Sequence, residues 1–203
     1  GGGHFAYGGN EIYGFDVGKL KWERLSDPSL KTDRDYPNGS DKYADGLPRS
    51  CHSYGYIQYV PAVDRFMSFG TTANFPKSRG GSTVWAFDFE KRKWEERGST
   101  IAGGIGAYSA VDPVTGHVFA RGNMKGARLG EWDPETGKWT DRTGRVGHRT
   151  DYQKTADIDP VGRRFVAVGG KGAAKYDVKK FEIGKQGRIK QDQLTTKGPQ
   201  DVA

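Results

Sequence analysis

Cysteine is nearly missing from this 203-residue sequence, in which Cys51 stands alone. That excludes an intramolecular disulfide and a zinc site built on cysteine pairs, and it leaves the compartment open. Long apolar runs are missing too. No stretch approaches the ~18 consecutive apolar residues that a membrane-spanning helix requires. Helix formers gather in no long window, and 31 glycines argue against a helical bundle. No glycine-rich phosphate cradle and no nucleophile–base–orienter set is legible. Aromatic residues, by contrast, are plentiful: ten Tyr, ten Phe and five Trp. Each buries about 150–250 Å² when packed, enough to make disorder a poor fit. The balance points to an all-β chain, rich in turns, with an aromatic core.

A repeat sets the architecture. Three segments share an aromatic-Asp pair followed by a Trp six residues after the Asp: Phe15-Asp16 with Trp22, Phe87-Asp88 with Trp94, and Trp132-Asp133 with Trp139. A fourth copy reads Tyr176-Asp177, with Ile183 in the Trp slot. The aspartates Asp16, Asp88, Asp133 and Asp177 advance by 72, 45 and 44 residues. An insertion at 26–50 accounts for the long first interval. Pro61, Pro113 and Pro160 form a second landmark, each nine residues before a glycine (Gly70, Gly122, Gly169). Turns such as Asp112-Pro113-Val114-Thr115-Gly116 and Asp133-Pro134-Glu135-Thr136-Gly137 place Pro early and Gly where φ turns positive. Each period therefore holds four strand-sized pieces, the content of a propeller blade. One blade cannot cover both of its faces, so blades stack around an axis.

The paired glycines Gly8-Gly9 and Gly169-Gly170, followed by aromatic-Asp and a later Trp, resemble the kelch motif. Residues 1–190 carry the resemblance. The copies at Gly70-Thr71 and Gly122-Asn123 depart from it, and the last lacks the Trp. The chain is also similar to bacterial and phage-associated kelch-type proteins of unassigned activity. The resemblance implies a β-propeller, typically of about six or seven blades, used mostly for binding.

On this reading, 1–25 is a partial first blade, 26–50 an insertion, 51–97 a second blade, 105–141 a third, and 152–183 a fourth. A polar tail, 184–203, follows. About four blades of four antiparallel strands make an incomplete ring, which leaves strand edges and blade faces bare. The expectation is a longer native polypeptide, or neighbouring subunits that complete the ring. The residues set no compartment: the sequence shows no secretory signal, and an extracellular or virion-surface setting remains open.

Turn lengths divide the two ends of such a blade. The strand 1–2 and strand 3–4 turns are short and stereotyped. The segments at 26–50, 71–81, 98–104, 122–127 and 142–151 are long and irregular, and would share the opposite end. Ligands favour irregular loops on a rigid scaffold. Candidates on that face are Arg49, Arg79, Arg145 and Arg149 for an anionic group, and Tyr36 and Tyr43 for stacking. Asn74, Tyr7, His52 and His148 complete the set. Trp22, Trp94 and Trp139 read as packing between blades.

Metal and cofactor readings find little support. His4, His52 and His148 lack the spacing of local ligands, and His117 follows a turn glycine at the surface. Cys51-His52, with Tyr54, Tyr56 and Tyr59 nearby, invites comparison with the copper-radical oxidases built on kelch propellers, but no ligand motif of that family is legible. Asp33, Asp35, Asn38, Ser40, Asp41 and Asp45 offer hard oxygens, yet Pro37 breaks the calcium-loop pattern. Nine Lys/Arg against two acids in 161–190 form no stripe with interleaved aromatics, so nucleic acid is not the expected partner. The expectation is a non-catalytic scaffold without metal or cofactor, binding protein or glycan. The rivals are an oxidase or polysaccharide-active enzyme, and a virion or filament subunit.

Overall fold

The computed structural model of the chain describes residues 9–29, 41–70, 72–74, 81–102, 106–122, 128–142, 154–169, 177–183 and 192–194. These hold sixteen strands and, among the described residues, no α-helix. Strands β1 (Tyr13–Asp16) and β2 (Lys21–Arg24) form a hairpin. Short strands β3 (Cys51–His52) and β6 (Thr72–Asn74) pair with one another. The first four-stranded antiparallel sheet joins β4 (Ile57–Val60), β5 (Arg65–Phe69), β7 (Thr83–Asp88) and β8 (Lys93–Ser99). The second joins β9 (Tyr108–Val111), β10 (Val118–Arg121), β11 (Leu129–Trp132) and β12 (Trp139–Asp141). The third joins β13 (Lys154–Asp159), β14 (Arg164–Gly169), β15 (Asp177–Glu182) and β16 (Asp192–Leu194). The fourth strand of the third sheet thus comes from 184–203, the span that reads as a polar tail in the sequence.

Side-chain alternation along each strand gives every sheet two faces to cover. Met67, Phe69, Val84 and Ala86 of the first sheet share a core with Val118, Ala120 and Trp132 of the second. Tyr108, Ala110, Phe119 and Leu129, on the second sheet's other face, pack against Ile158, Phe165 and Ala167 of the third. The second sheet is therefore covered on both sides. Its first strand also sits beside the first strand of its neighbours. Gly55 N donates to the Ala107 carbonyl at 3.2 Å, Gln58 Nε2 to the Ser109 carbonyl at 2.9 Å, and Ser109 Oγ to the Gly55 carbonyl at 2.6 Å. A side chain at Gly55 would bring its Cβ within 3.0 Å of the Tyr108 backbone, so glycine is what permits this approach.

The aromatic-Asp motif now has a mechanism. Phe15 lies across from Trp22, Phe87 from Trp94 and Trp132 from Trp139. The Asp then closes the turn between the paired strands. Asp16 Oδ1 accepts from Gly18 N and Lys19 N at 2.9 Å. Asp88 Oδ1 accepts from Lys91 N at 2.8 Å, and Asp133 Oδ1 from Glu135 N at 2.8 Å. Asp133 Oδ2 adds the Thr136 hydroxyl at 2.8 Å. These are side-chain turns that mimic a backbone turn. The bonds, led by Lys19 N, Lys91 N and the Thr136 hydroxyl respectively, hold all three carboxyls below the usual carboxylate range.

The fourth copy requires a correction. Asp177 stands opposite Gly169, at the start of β15. The residue opposite Arg164 is Glu182, as Asp88 is opposite Arg65. Phe181-Glu182, not Tyr176-Asp177, therefore occupies the motif's place. Two aromatic-acidic pairs lie five residues apart here, and only strand register tells them apart. A second difference concerns the tryptophans. Trp94 and Trp139 are half-buried, but Trp22 is 71% exposed and Phe15 44%. Their rings touch one another at 5.1 Å between centroids without the cover that their counterparts receive.

Candidate functional site

The cleft between 9–12, 48–53 and the first four-stranded sheet gathers chemistry from distant parts of the chain. It measures about 140 Å³, and Arg49, Cys51, Phe66, Trp85 and Trp94 are among the residues that wall it. Alternation on β5 and β7 turns Phe66, Trp85 and Phe87 away from the core shared with the second sheet. Trp94 joins them, with its ring 5.3 Å from Phe87 and 6.2 Å from Phe66. Trp85 takes the register slot that Gly130 holds in the second sheet. At Gly130 a Cβ would sit 2.6 Å from the Trp139 ring, so that sheet closes tightly against its own tryptophan. With Trp85 in the slot, the first sheet instead presents two tryptophans to the cleft.

Asn10 fixes the opposite wall. Its Nδ2 donates to Ser29 Oγ at 2.9 Å and to the Pro48 carbonyl at 3.0 Å, while Ser29 N donates to its Oδ1 at 2.8 Å. Trp94 Nε1 donates to the Asn10 carbonyl at 3.4 Å. The indole N–H of Trp85, a residue only 3% exposed, has no partner. Lys42 lies 5.6 Å from the Trp85 ring centre and reaches Glu96 at 2.5 Å, which braces the insertion against the sheet. The chemistry on offer is an apolar slot walled by two tryptophans, with one unmatched donor buried within the wall.

The structure distributes the residues expected from sequence unevenly. Tyr43 and Arg49 are each 5% exposed. Tyr43 is thus not the stacking platform that the sequence suggested. Its hydroxyl accepts from Ser50 N at 3.2 Å and its carbonyl from Gly46 N at 2.9 Å, which ties up the 43–50 turn. Arg49 is buried in the cleft wall rather than offered to solvent. His52 is half-buried, 5.8 Å from the Tyr54 ring. Asn74 lies on β6 opposite Cys51. Tyr7, Tyr36, Arg79, Arg145, His148 and Arg149 lie outside the described residues, as do His4, Asp33, Asp35, Asn38 and Ser40. Asn10 and Trp85 escaped sequence reasoning as site residues. The one available signal was that Trp85 falls outside the aromatic repeat.

Other sequence readings meet specific contacts. Asp41 Oδ2 accepts from Thr83 Oγ1 at 2.5 Å, and Asp45 Oδ1 from Leu47 N at 3.1 Å, so both carboxylates serve the insertion's own structure. His117 is not a free surface histidine: its Nδ1 lies 2.7 Å from Glu131 Oε1. Tyr56 is fully buried and donates to the Ala102 carbonyl. Burial pushes its phenol well above the usual range. Tyr59 donates instead to Asp64 at 2.8 Å. The tyrosines near Cys51 therefore turn toward separate partners. Among the described residues, no group of three or more His, Cys, Asp or Glu could hold a metal ion.

No family model and no curated protein matches the chain. Among solved structures, TolB from Acinetobacter baumannii is similar with a TM-score of 0.50 and 13% identity, covering 92% of this chain and 38% of TolB. An auxiliary nutrient binding protein from Bacteroides thetaiotaomicron aligns at a TM-score of 0.32 and 10% identity, over 72% of this chain and 42% of its own. The chain thus spans well under two thirds of either. The TolB likeness, together with four-stranded antiparallel sheets packed face to face, defines a β-propeller-like fold. No helix among the described residues is long and apolar enough to cross a membrane.

Proposed function

We propose that the chain is a kelch-type propeller segment that acts as a non-catalytic binding scaffold, and that its partner is a protein presenting a ring-sized side chain to the Trp85–Trp94 cleft. The carrying observation is that cleft: about 140 Å³, with two tryptophans and a buried indole N–H that lacks an acceptor. A void of about 150 Å³ accommodates one benzene-sized group. An aromatic side chain with an oxygen, such as tyrosine, fits both the volume and the unmet donor. The cleft wall at 48–53 belongs largely to the long-loop stretch, where rigid scaffolds usually carry recognition. Glycan binding at this cleft is the alternative.

Trp85→Phe tests the proposal, because it removes the N–H and keeps most of the ring. Titrating immobilised tyrosine-bearing peptides and neutral oligosaccharides against both proteins gives the answer. The proposal expects peptide binding that weakens about tenfold in the variant, the worth of one good hydrogen bond. Oligosaccharide binding alone would replace the protein partner with a glycan. Equal binding by both proteins would remove Trp85 from recognition.

A second reading, assembly through neighbouring subunits or further blades, is favoured by the uncovered Phe15–Trp22 pair.

A further inference from the structure

The turns β4–β5, β9–β10 and β13–β14 hold the same place in the three four-stranded sheets. Each ends on a residue in the left-handed region: Asp64 (φ 49°), Gly116 (φ 75°) and Arg163 (φ 50°). Each begins at a residue on the face turned toward the next sheet: Val60, Asp112 or Asp159. The next sheet meets the first two. Val60 joins the core shared with the second sheet, where a Cβ on Gly116 would stand 3.1 Å from Ala62. Asp112 receives both terminal guanidinium nitrogens of Arg163, at 2.7 and 2.5 Å. Asp159 has the matching turn contacts, since Val161 N and Gly162 N donate to its Oδ1 at 3.0 and 2.8 Å. Among the described residues, no cation is bonded to it.

The rest of that face shows what belongs there. Alternation along β13 sends Ile158 into the core with the second sheet and turns Thr155, Asp157 and Asp159 the other way. Thr155 and Asp157 are exposed and Asp159 is half-buried. Gln58 and Ala110 hold the place of Asp157 in the other two sheets. Gln58 bonds to Ser109, and Ala110 packs in the core with the third sheet. Asp157 has only the N–H of Ile158, at 2.8 Å. Val166, across from Asp157, and Val168, 38% exposed, supply aliphatic ground beside the two carboxylates. Arg164 is exposed across from Asp159, and Lys180 holds the register position beyond Val166. The negative charge is therefore a stripe confined to β13. Alternate residues of a strand stand about 7 Å apart, the spacing of alternate side chains on an extended partner segment. Carboxylates take guanidinium in two-pronged bonds, and the arginine stems can lie along the valines. We infer that the free face of β13 docks an extended segment of a partner protein with arginines two residues apart. The arginine at Asp159 repeats the bond that Arg163 makes to Asp112. The second sheet separates this surface from the Trp85–Trp94 cleft, and the inference does not depend on the function proposed there.

Backbone N–H signals report this site by NMR, because Ile158 N–H is bonded to Asp157, and Val161 and Gly162 N–H to Asp159. Val114 N–H is the internal control, since it sits on the Asp112 carboxylate that Arg163 already fills. The full chain is titrated with an acetylated, amidated Thr-Arg-Thr-Arg-Thr peptide and with its lysine and citrulline counterparts. The arginine peptide should move the Ile158, Val161 and Gly162 signals and leave Val114 in place. The lysine peptide should bind about threefold more weakly, and the uncharged citrulline peptide should move nothing. Asp157→Asn and Asp159→Asn should each weaken the arginine peptide about threefold, the worth of one accessible ion pair. No movement with the arginine peptide overturns the inference. Equal movement with citrulline removes charge from recognition, and Val114 moving with the others reduces the effect to general screening; either result overturns it as well. Light scattering completes the test: if Asp157→Lys with Asp159→Lys abolishes self-association of the chain, a second copy occupies this face and the partner segment is wrong.

Discussion

At the scale of residues, the carboxylates of the short turns do most of the organising, and Asp112 is the strongest case. It is fully buried and takes Arg163 in a two-pronged pair at 2.7 and 2.5 Å. That pair ties the second sheet's turn to the third's. Burial opposes its ionisation, but the Arg163 bonds, with the Thr115 hydroxyl and Val114 N–H, prevail and lower its pKa from 3.8 to about 2. A carboxyl depressed in the folded state stabilises the fold fully above its unfolded pKa. That contribution disappears as pH falls through the folded value. The window is therefore about pH 4 down to about pH 2, and the amount is about 2 kcal/mol. Urea unfolding across this window should show the loss in the native chain and a shallower loss in Asp112→Asn. Identical slopes would mean that the Arg163 pair contributes nothing.

At the scale of elements, the repeating unit is a hairpin that carries an aromatic pair across its strands. Trp139 has its ring 5.9 Å from Phe69 of the neighbouring sheet at an interplanar angle of 89°. Trp22 makes its counterpart pair with Phe15 but is mostly in solvent. Trp139→Ala should cost about 2–3 kcal/mol, somewhat less than a fully buried large aromatic. Trp22→Ala should stay within about 0.5 kcal/mol, as at other surface sites. Chemical denaturation of both variants checks the pair, and equal losses would contradict the difference in burial.

The hairpins were legible in the sequence because Asp turns, Pro–Gly spacing and aromatic pairs are local. Sheet register is less so: Tyr176-Asp177 and Phe181-Glu182 look alike in sequence, and only the pairing of Arg164 with Glu182 separates them. β16 was missed because the three residues of Asp192–Leu194 carry no alternating apolar signal. The candidate site was harder still. Tyr43 and Arg49 look like loop residues in one dimension, yet their loop folds back onto the first sheet. Trp85 reads as ordinary core until Asn10, 75 positions earlier, is found lining the same cleft.

At the scale of the molecule, stacked sheets are stabilised by each unit plus its interface with the next. The second sheet is covered on both faces. The β1–β2 hairpin presents the equivalent aromatic face with Tyr13 53%, Phe15 44% and Trp22 71% exposed. Contiguous exposed aromatics of this kind mark interaction surfaces more often than idle ones. The covered counterparts show what suits such a face: Phe69 from the preceding sheet, edge-on to Trp132 and Trp139. A further propeller sheet, from another subunit or from more chain, has the matching shape. The chain by itself should therefore self-associate head to tail as concentration rises, and Trp22→Asp should hold it monomeric by burying no apolar ring and adding a charge. Light scattering coupled to size exclusion follows the mass, and Trp22→Asp thermal unfolding at low concentration verifies that the fold is retained. A native chain that stays monomeric at every concentration where the variant does would show that this face recruits no second copy.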